Sequence, residues 1–250
     1  MLAIYKACLA LAVGLTLIYA FQGYYPELIA PISDAIFPFL AGIAAISAGL
    51  GSRKYGYHSE RFSVVWLCFT AGMLLWFLGE LSWAVYTFFL SVEIPYPSIA
   101  DIFWLAGYIP FLIALYFYAK TFESVLPKRT LRMIWAAIVV LSVTVTVALM
   151  IPIVTAEADS LTLVIDLAYP FLDLALFSTA LLGLTIFHGG TLGKSWMLIN
   201  AGILANVAGD ILFSYTTSQG IYYNGHLIDL LLAYGYILFA LAFYVHAKEL

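Results

Sequence analysis

The sequence predicts an all-α integral membrane protein whose eight transmembrane helices form a parallel 4+4 tandem repeat. Three observations carry that prediction. Of 250 residues, 64% are hydrophobic and only 10% are charged, against about 25% charged in a soluble domain. Eight apolar segments are long enough to cross a bilayer, which takes roughly 20 residues each. Residues of the first half also recur in order in the second. The net charge of −4 offers no basic surface for nucleic acid. Cys8 and Cys68 lie in apolar stretches and form neither a CxxC nor a disulfide framework.

In chain order the apolar segments cover about 2–22, 32–51, 63–90, 99–120, 131–154, 163–187, 195–217 and 226–248. The first could pass for a signal peptide, but its cleavage region is poor and the repeat needs a first helix. The connections are too short for a soluble domain. Two repeats, 1–122 and 133–250, are expected around a cytoplasmic linker at 123–132.

All ten cations fall on one side of an eight-helix arrangement: Lys6, Arg53, Lys54, Arg61, Lys120, Lys128, Arg129, Arg132, Lys194 and Lys248. The opposite connections hold Glu27, Glu93, Glu157 and Asp159. By the positive-inside rule both termini are cytoplasmic, in a multi-pass protein of the cell membrane.

The internal repeat is read from three runs. Trp66, Ala71, Gly72, Leu74, Gly79 and Glu80 recur 130 residues later as Trp196, Ala201, Gly202, Leu204, Gly209 and Asp210. Asp34, Pro38, Phe39 and Leu40 match Asp166, Pro170, Phe171 and Leu172, and Asp101, Gly107, Tyr108 and Phe111 match Asp229, Gly235, Tyr236 and Phe239. Helices 1 and 5 share no clear identity. Four helices per half is an even number, so both halves enter from the same side and the repeat is parallel.

Charge inside a membrane is costly, so intramembrane acids are the candidate functional residues. Glu80 and Asp210 lie about 15 residues into helices rising from the cytoplasm, which puts them in the outer half of the hydrocarbon layer. The alternative role for them is a neutral, hydrogen-bonded acid that holds the bundle together. Asp34, Asp101, Asp166 and Asp229 lie near the outer starts of descending helices, where an acid also stabilises the helix end. Ser98 with Asp101 reads as a capping box. Asp229 fits a cap least well, because Asn224 is the more natural one.

Asp173 lies one heptad beyond Asp166 on the same face, where the first half has Ala41. Asn200 and Asn206 are likewise unmatched. Trp83, Tyr108, Tyr236 and many other aromatics fall in the outer half or outer loops, either as an interfacial belt or as walls of a pocket. An outward-opening pocket of carboxylates and aromatics suits a cationic or hydrophobic small ligand. Its expected residues are Glu80, Asp210, Asp101, Asp229, Asp166, Asp173, Trp83, Tyr108 and Tyr236.

Catalysis is not expected. No lysine lies mid-helix for a retinal Schiff base, and the four histidines are scattered. His188 and His226 fall at opposite ends of their helices, too far apart for a haem, although His188 with His246 is formally compatible. No GxSxG, HExxH or P-loop occurs. No cofactor or metal site is expected.

The runs PSIADIFWLAGYIPF and GHLIDLLLAYGYILFALAF, with Gly79-Glu80-Trp83 and Gly209-Asp210-Phe213, resemble the multi-pass N-terminal membrane input modules of bacterial diguanylate cyclases and sensor histidine kinases. The second run departs from the pattern at Ile228, where a small residue is usual. The resemblance covers about half the chain. It implies reception of a signal and its passage through the last helix to a cytoplasmic output domain or signalling partner. The chain stops at Leu250 without an output domain, so the expectation is an excised input module or a stand-alone relative acting through a partner.

Two alternatives stand beside a sensory module. A small transporter or channel would relay protons or cations along the same acids, but the inner segments WLCFTAG and WMLINAG offer few polar residues for such a path. A structural or partner-binding membrane subunit would need the acids for stability alone. The expected partners are the lipid bilayer, an unidentified small ligand or cation, and the cytoplasmic signalling component.

Overall fold

The computed structural model describes residues 2–55, 61–90, 92, 94–122, 128–155, 159–186 and 193–249. Helix α1 spans Leu2–Ala20 and α2 spans Pro26–Lys54, with a tight 3-10 turn at Gln22–Tyr24 between them. Helix α3, Arg61–Val85, runs into a π-helical turn at Tyr86–Leu90, and α4 spans Ile99–Phe122. Helix α5 begins at Lys128 and continues through a π-helical turn at Thr146–Met150 to Thr155. Helices α6, α7 and α8 span Ser160–Ile186, Gly193–Ser218 and Asp229–Glu249. No strand occurs among the described residues. All eight helices contain a stretch apolar and long enough to cross a membrane.

Two helices start earlier than the apolar pattern suggests. Pro26 sits in the first turn of α2, where its fixed φ and missing N–H cost nothing, and Glu27 follows in the same turn. Asp159 accepts the N–H groups of Leu161 and Thr162 at 3.0 and 3.1 Å and the Thr162 hydroxyl at 2.6 Å, so it caps α6. Those hydrogen bonds, the Thr162 hydroxyl first, hold its carboxyl below the usual aspartate value.

The early starts overturn a capping role for Asp34 and Asp166, which lie about two turns inside α2 and α6. Asp101 does close the expected capping box. Its Oδ2 accepts the Ser98 N–H at 2.7 Å and hydroxyl at 2.9 Å, while Ser98 Oγ accepts the Ala100 N–H at 3.2 Å. Asn224 is not the cap of α8. Asp229 opens that helix and accepts the Gly225 N–H at 3.0 Å.

Paired glycines set the tightest packing. On α3, Gly72 faces Phe111 and Gly107 of α4. On α7, Gly202 faces Phe239 and Gly235 of α8. With no Cβ between them, the backbones approach closely. Helix α2 lies against both α3 and α8, and α6 lies against both α7 and α4. Helix α1 leans on α8 and α5 leans on α6. Thr16 of α1 shares a 2.6 Å hydrogen bond with Tyr234 of α8, and the Tyr19 hydroxyl donates to Ser33 of α2 at 2.8 Å.

The core between α3, α4, α7 and α8 is aromatic. Trp66, Phe69, Phe111, Trp196, Phe239 and Phe243 are buried there. Trp66–Trp196, Phe69–Phe111, Phe69–Phe243 and Phe111–Phe239 meet edge-on or tilted at centroid separations of 5.6–6.0 Å, while Phe239 and Phe243 stack at 6.1 Å. By contrast, α5 turns Met133, Trp135, Val139, Val140, Val143 and Val147 outward, each more than half exposed.

A methyl group at Gly72 would fall 2.5 Å from the Phe111 ring and 3.2 Å from the Gly107 carbonyl; at Gly202 the nearest atoms are 3.1 and 3.3 Å away. Gly72→Ala is therefore expected to destabilise the detergent-solubilised protein by roughly 1–3 kcal/mol, and Gly202→Ala by less. Gly14→Ala, which meets nothing within 4 Å, should be near neutral. Thermal melts of the three variants check the order.

Candidate functional site

At the end of the bundle away from the cations, α2, α3, α4, α6, α7 and α8 enclose a cavity of about 380 Å³. Each helix contributes one carboxylate to its lining: Asp34, Glu80, Asp101, Asp166, Asp210 and Asp229 respectively. Among the described residues no lysine, arginine or histidine lines it. The remaining wall is chiefly aromatic and includes Trp76, Trp83, Trp104, Tyr169 and Phe213.

Acids in so apolar a setting need hydrogen-bond donors. Tyr236 of α8 donates to Glu80 of α3 at 2.7 Å. Tyr108 of α4 reaches Asp210 of α7 at 3.3 Å and Asp173 of α6 at 2.7 Å. The two tyrosines are thus exchanged crosswise between the helix pairs α3–α4 and α7–α8.

Nearer the mouth, Asp34 accepts the Trp83 indole N–H at 3.0 Å and the Asn224 amide at 2.7 Å. Asp101 accepts the Tyr169 hydroxyl at 2.8 Å, Asp166 that of Tyr96, and Asp229 that of Tyr222 at 3.2 Å. Every one of these donors is neutral. Pro38 and Pro170 add a further effect. Each lacks an N–H, so the backbone carbonyls of Asp34 and Asp166, four residues earlier, lose their in-helix partner.

The floor is closed by rings. Trp76 stacks on Phe111 at 4.6 Å, meets Tyr108 and Tyr236 edge-on, and donates its N–H to the Trp104 carbonyl at 3.0 Å. Below it lies the aromatic core. At the cationic end, His246 of α8 stacks on Trp66 at 3.9 Å. Its Nε2 meets the Tyr55 hydroxyl at 2.5 Å and its Nδ1 the Ser195 hydroxyl at 3.1 Å. Both ring nitrogens are thereby engaged, and His188 lies outside the described residues.

Of the residues expected from sequence, Glu80, Asp101, Asp166, Asp210, Asp229, Trp83, Tyr108 and Tyr236 meet at this cavity. Asp173 does not line it; it is 1% exposed, behind Tyr108. Asp34, not among the pocket residues expected from sequence, also lines the cavity; its sequence match to Asp166 was the available signal. Tyr96, Tyr169 and Asn224 were missed as acid partners, since nothing in local sequence pairs them with acids on other segments; Tyr222, seven residues before Asp229, was missed as well. Among the described residues no three His, Cys, Asp or Glu side chains converge as a metal site would require.

No family model, curated protein or solved structure matches the chain. What it does is therefore read from the cavity.

Removing a phenol hydroxyl strips a buried acid of its donor, at a cost of about 1–3 kcal/mol. Tyr108→Phe, which leaves both Asp173 and Asp210 short, is expected to destabilise more than Tyr236→Phe, which affects Glu80 alone. Tyr116→Phe, on an exposed residue, is the control in denaturation of the detergent-solubilised protein.

Proposed function

We propose that the chain is a multi-pass membrane sensory module, receptor-like, whose acidic and aromatic cavity binds a small organic cation. One observation carries the reading: six acidic side chains from six helices line a single aromatic-walled cavity, with no lysine, arginine or histidine among its described lining residues. Carboxylates offer charge and hydrogen-bond acceptors to an ammonium head, and indole and phenol faces attract the same group through cation–π contact. The acids stand apart rather than in threes, which favours an organic ammonium over a bare metal ion.

The membrane setting is supported by the apolar outward surface of α5 and by the eight long apolar helices. A parallel 4+4 repeat is supported by the crosswise pairs Tyr108–Asp210 and Tyr236–Glu80 and by the glycine contacts Gly72–Gly107 and Gly202–Gly235. With cations on the cytoplasmic side, both termini are cytoplasmic and the cavity opens outward. The ring-closed floor favours reception over transport.

Signalling would run through α8. This helix supplies Asp229 and Tyr236 to the cavity and, near its far end, His246 to Tyr55 and Ser195. A ligand that binds two arrangements of the helices unequally shifts their populations and so moves the cytoplasmic end of α8. The resemblance to membrane input modules points the same way, toward an output domain or partner as recipient.

The test is a thermal-shift titration of detergent-purified protein with phenethylammonium, butane-1,4-diammonium and neutral 2-phenylethanol. Binding to the folded state alone stabilises by about 2.7 kcal/mol at a hundredfold excess over Kd. An ammonium is expected to raise Tm and the alcohol to leave it unchanged. The effect should vanish in Glu80→Gln/Asp210→Asn. Equal response to the alcohol, or none to either ammonium, sinks the reading.

A further inference from the structure

We infer that Asp173, Tyr108 and Asp210 form a proton-binding site, holding one acid proton that leaves when a cation enters the cavity beside Asp210. The first half of the inference stands on hydrogen count. The Tyr108 hydroxyl lies 2.7 Å from Asp173 Oδ1 and 3.3 Å from Asp210 Oδ2. A phenol has one hydrogen to give and two lone pairs to receive. Between two carboxylates, its single hydrogen leaves one anion without a donor and facing phenol lone pairs. With one carboxyl protonated, its O–H donates to the phenol oxygen and the phenol hydrogen goes to the other. Both contacts are then hydrogen bonds.

The surroundings supply no other relief. Asp173 is buried to 1% exposure and its second oxygen, Oδ2, has no hydrogen-bond partner. Three helices pack against α6. From α4 come Tyr108 and Asp101, and from α7 comes Asp210, with neutral Asn200 and Asn206. The ionisable residues of α5, Lys128, Arg129 and Arg132, all lie in its first turns. Asp166 and Tyr169 are on α6 itself, while Glu80 and Tyr236 face Asp210 from α3 and α8. Among the described residues no lysine, arginine or histidine lines the cavity to offset two negative charges in this apolar setting.

The other half of the molecule is the internal comparison. There Tyr236 serves Glu80 alone, and the position matching Asp173 is Ala41, wholly buried. One phenol hydrogen meets one acid. The extra proton therefore belongs to the α6–α7 side only.

Release of that proton rests on the proposed cation-binding reading. Asp210 lines the cavity, whereas Asp173 does not. An ammonium against Asp210 supplies the positive charge and the N–H donors that the acid proton provided. Both carboxyls can then ionise: the carboxyl O–H bond breaks, its electron pair stays on oxygen, and the proton passes through the cavity to water.

Infrared spectroscopy of the detergent-purified protein tests the site without any ligand. At neutral pH the wild type is expected to show a protonated-carboxyl carbonyl band that shifts down in D₂O. That band should be lost in Asp173→Ala, which installs the residue of the first half, and in the isosteric Asp173→Asn. Carboxyl bands identical in wild type and both variants overturn the proposal. Phenethylammonium is then added in weak buffer with a pH indicator. One proton released per cation bound is expected in the wild type and none in Asp173→Ala, with the thermal shift retained in that variant. A thermal shift without proton release overturns the exchange and leaves the cavity reading standing. A band without any thermal shift supports the proton site and overturns the cation reading.

Discussion

Six carboxylic acids at one end of an apolar bundle need donors inside the protein; five find them on another helix or loop, and Asp229 finds its own in the turn just before α8. Tyr236 answers Glu80, Tyr169 answers Asp101, and Trp83 and Asn224 answer Asp34. Because these donors are neutral, the acids keep their appetite for positive charge even while satisfied in hydrogen bonds. Had arginine or lysine supplied the donors, the same end of the molecule would be a closed network of ion pairs. The neutral partners tie α2, α3, α4, α6, α7 and α8 together around a cavity lined by acids, with no lysine, arginine or histidine among its described lining residues.

The helices converge beside that cavity where glycines let them approach closely. Gly72 and Gly107, and Gly202 and Gly235, allow α3–α4 and α7–α8 to meet backbone to backbone. The aromatic rings fill the space between the two pairs. Helix α8 is in contact with α1, α2 and α7, and it spans from Asp229 to the His246–Tyr55–Ser195 contact.

The two sides of the cavity are alike in plan but not in content. Asp173 has only Ala41 as its counterpart, and Trp83, donor to Asp34, corresponds to Phe213. These differences leave one side with two acids, Asp173 and Asp210, facing the single Tyr108 hydroxyl.

Composition and apolar run length determined the all-helical class, the eight long apolar helices and their rough bounds, because a run of about 20 apolar residues satisfies its own backbone groups within one helix. The recurrence of Glu80 as Asp210 and of Tyr108 as Tyr236 marked most of the acids and two of their partners. Local chemistry also sufficed for the Ser98–Asp101 capping box. It failed for Asp34 and Asp166, where Pro26 and Asp159 start the helices earlier than hydropathy alone suggests. Only the tertiary structure decided that Asn224 serves Asp34 across 190 residues, that Asp173 sits behind Tyr108, and that six acids share one cavity. Such pairings depend on which helix faces meet, and hydropathy is nearly the same on every face of these helices, so their rotation is set by side-chain contacts between segments rather than by any pattern along one of them.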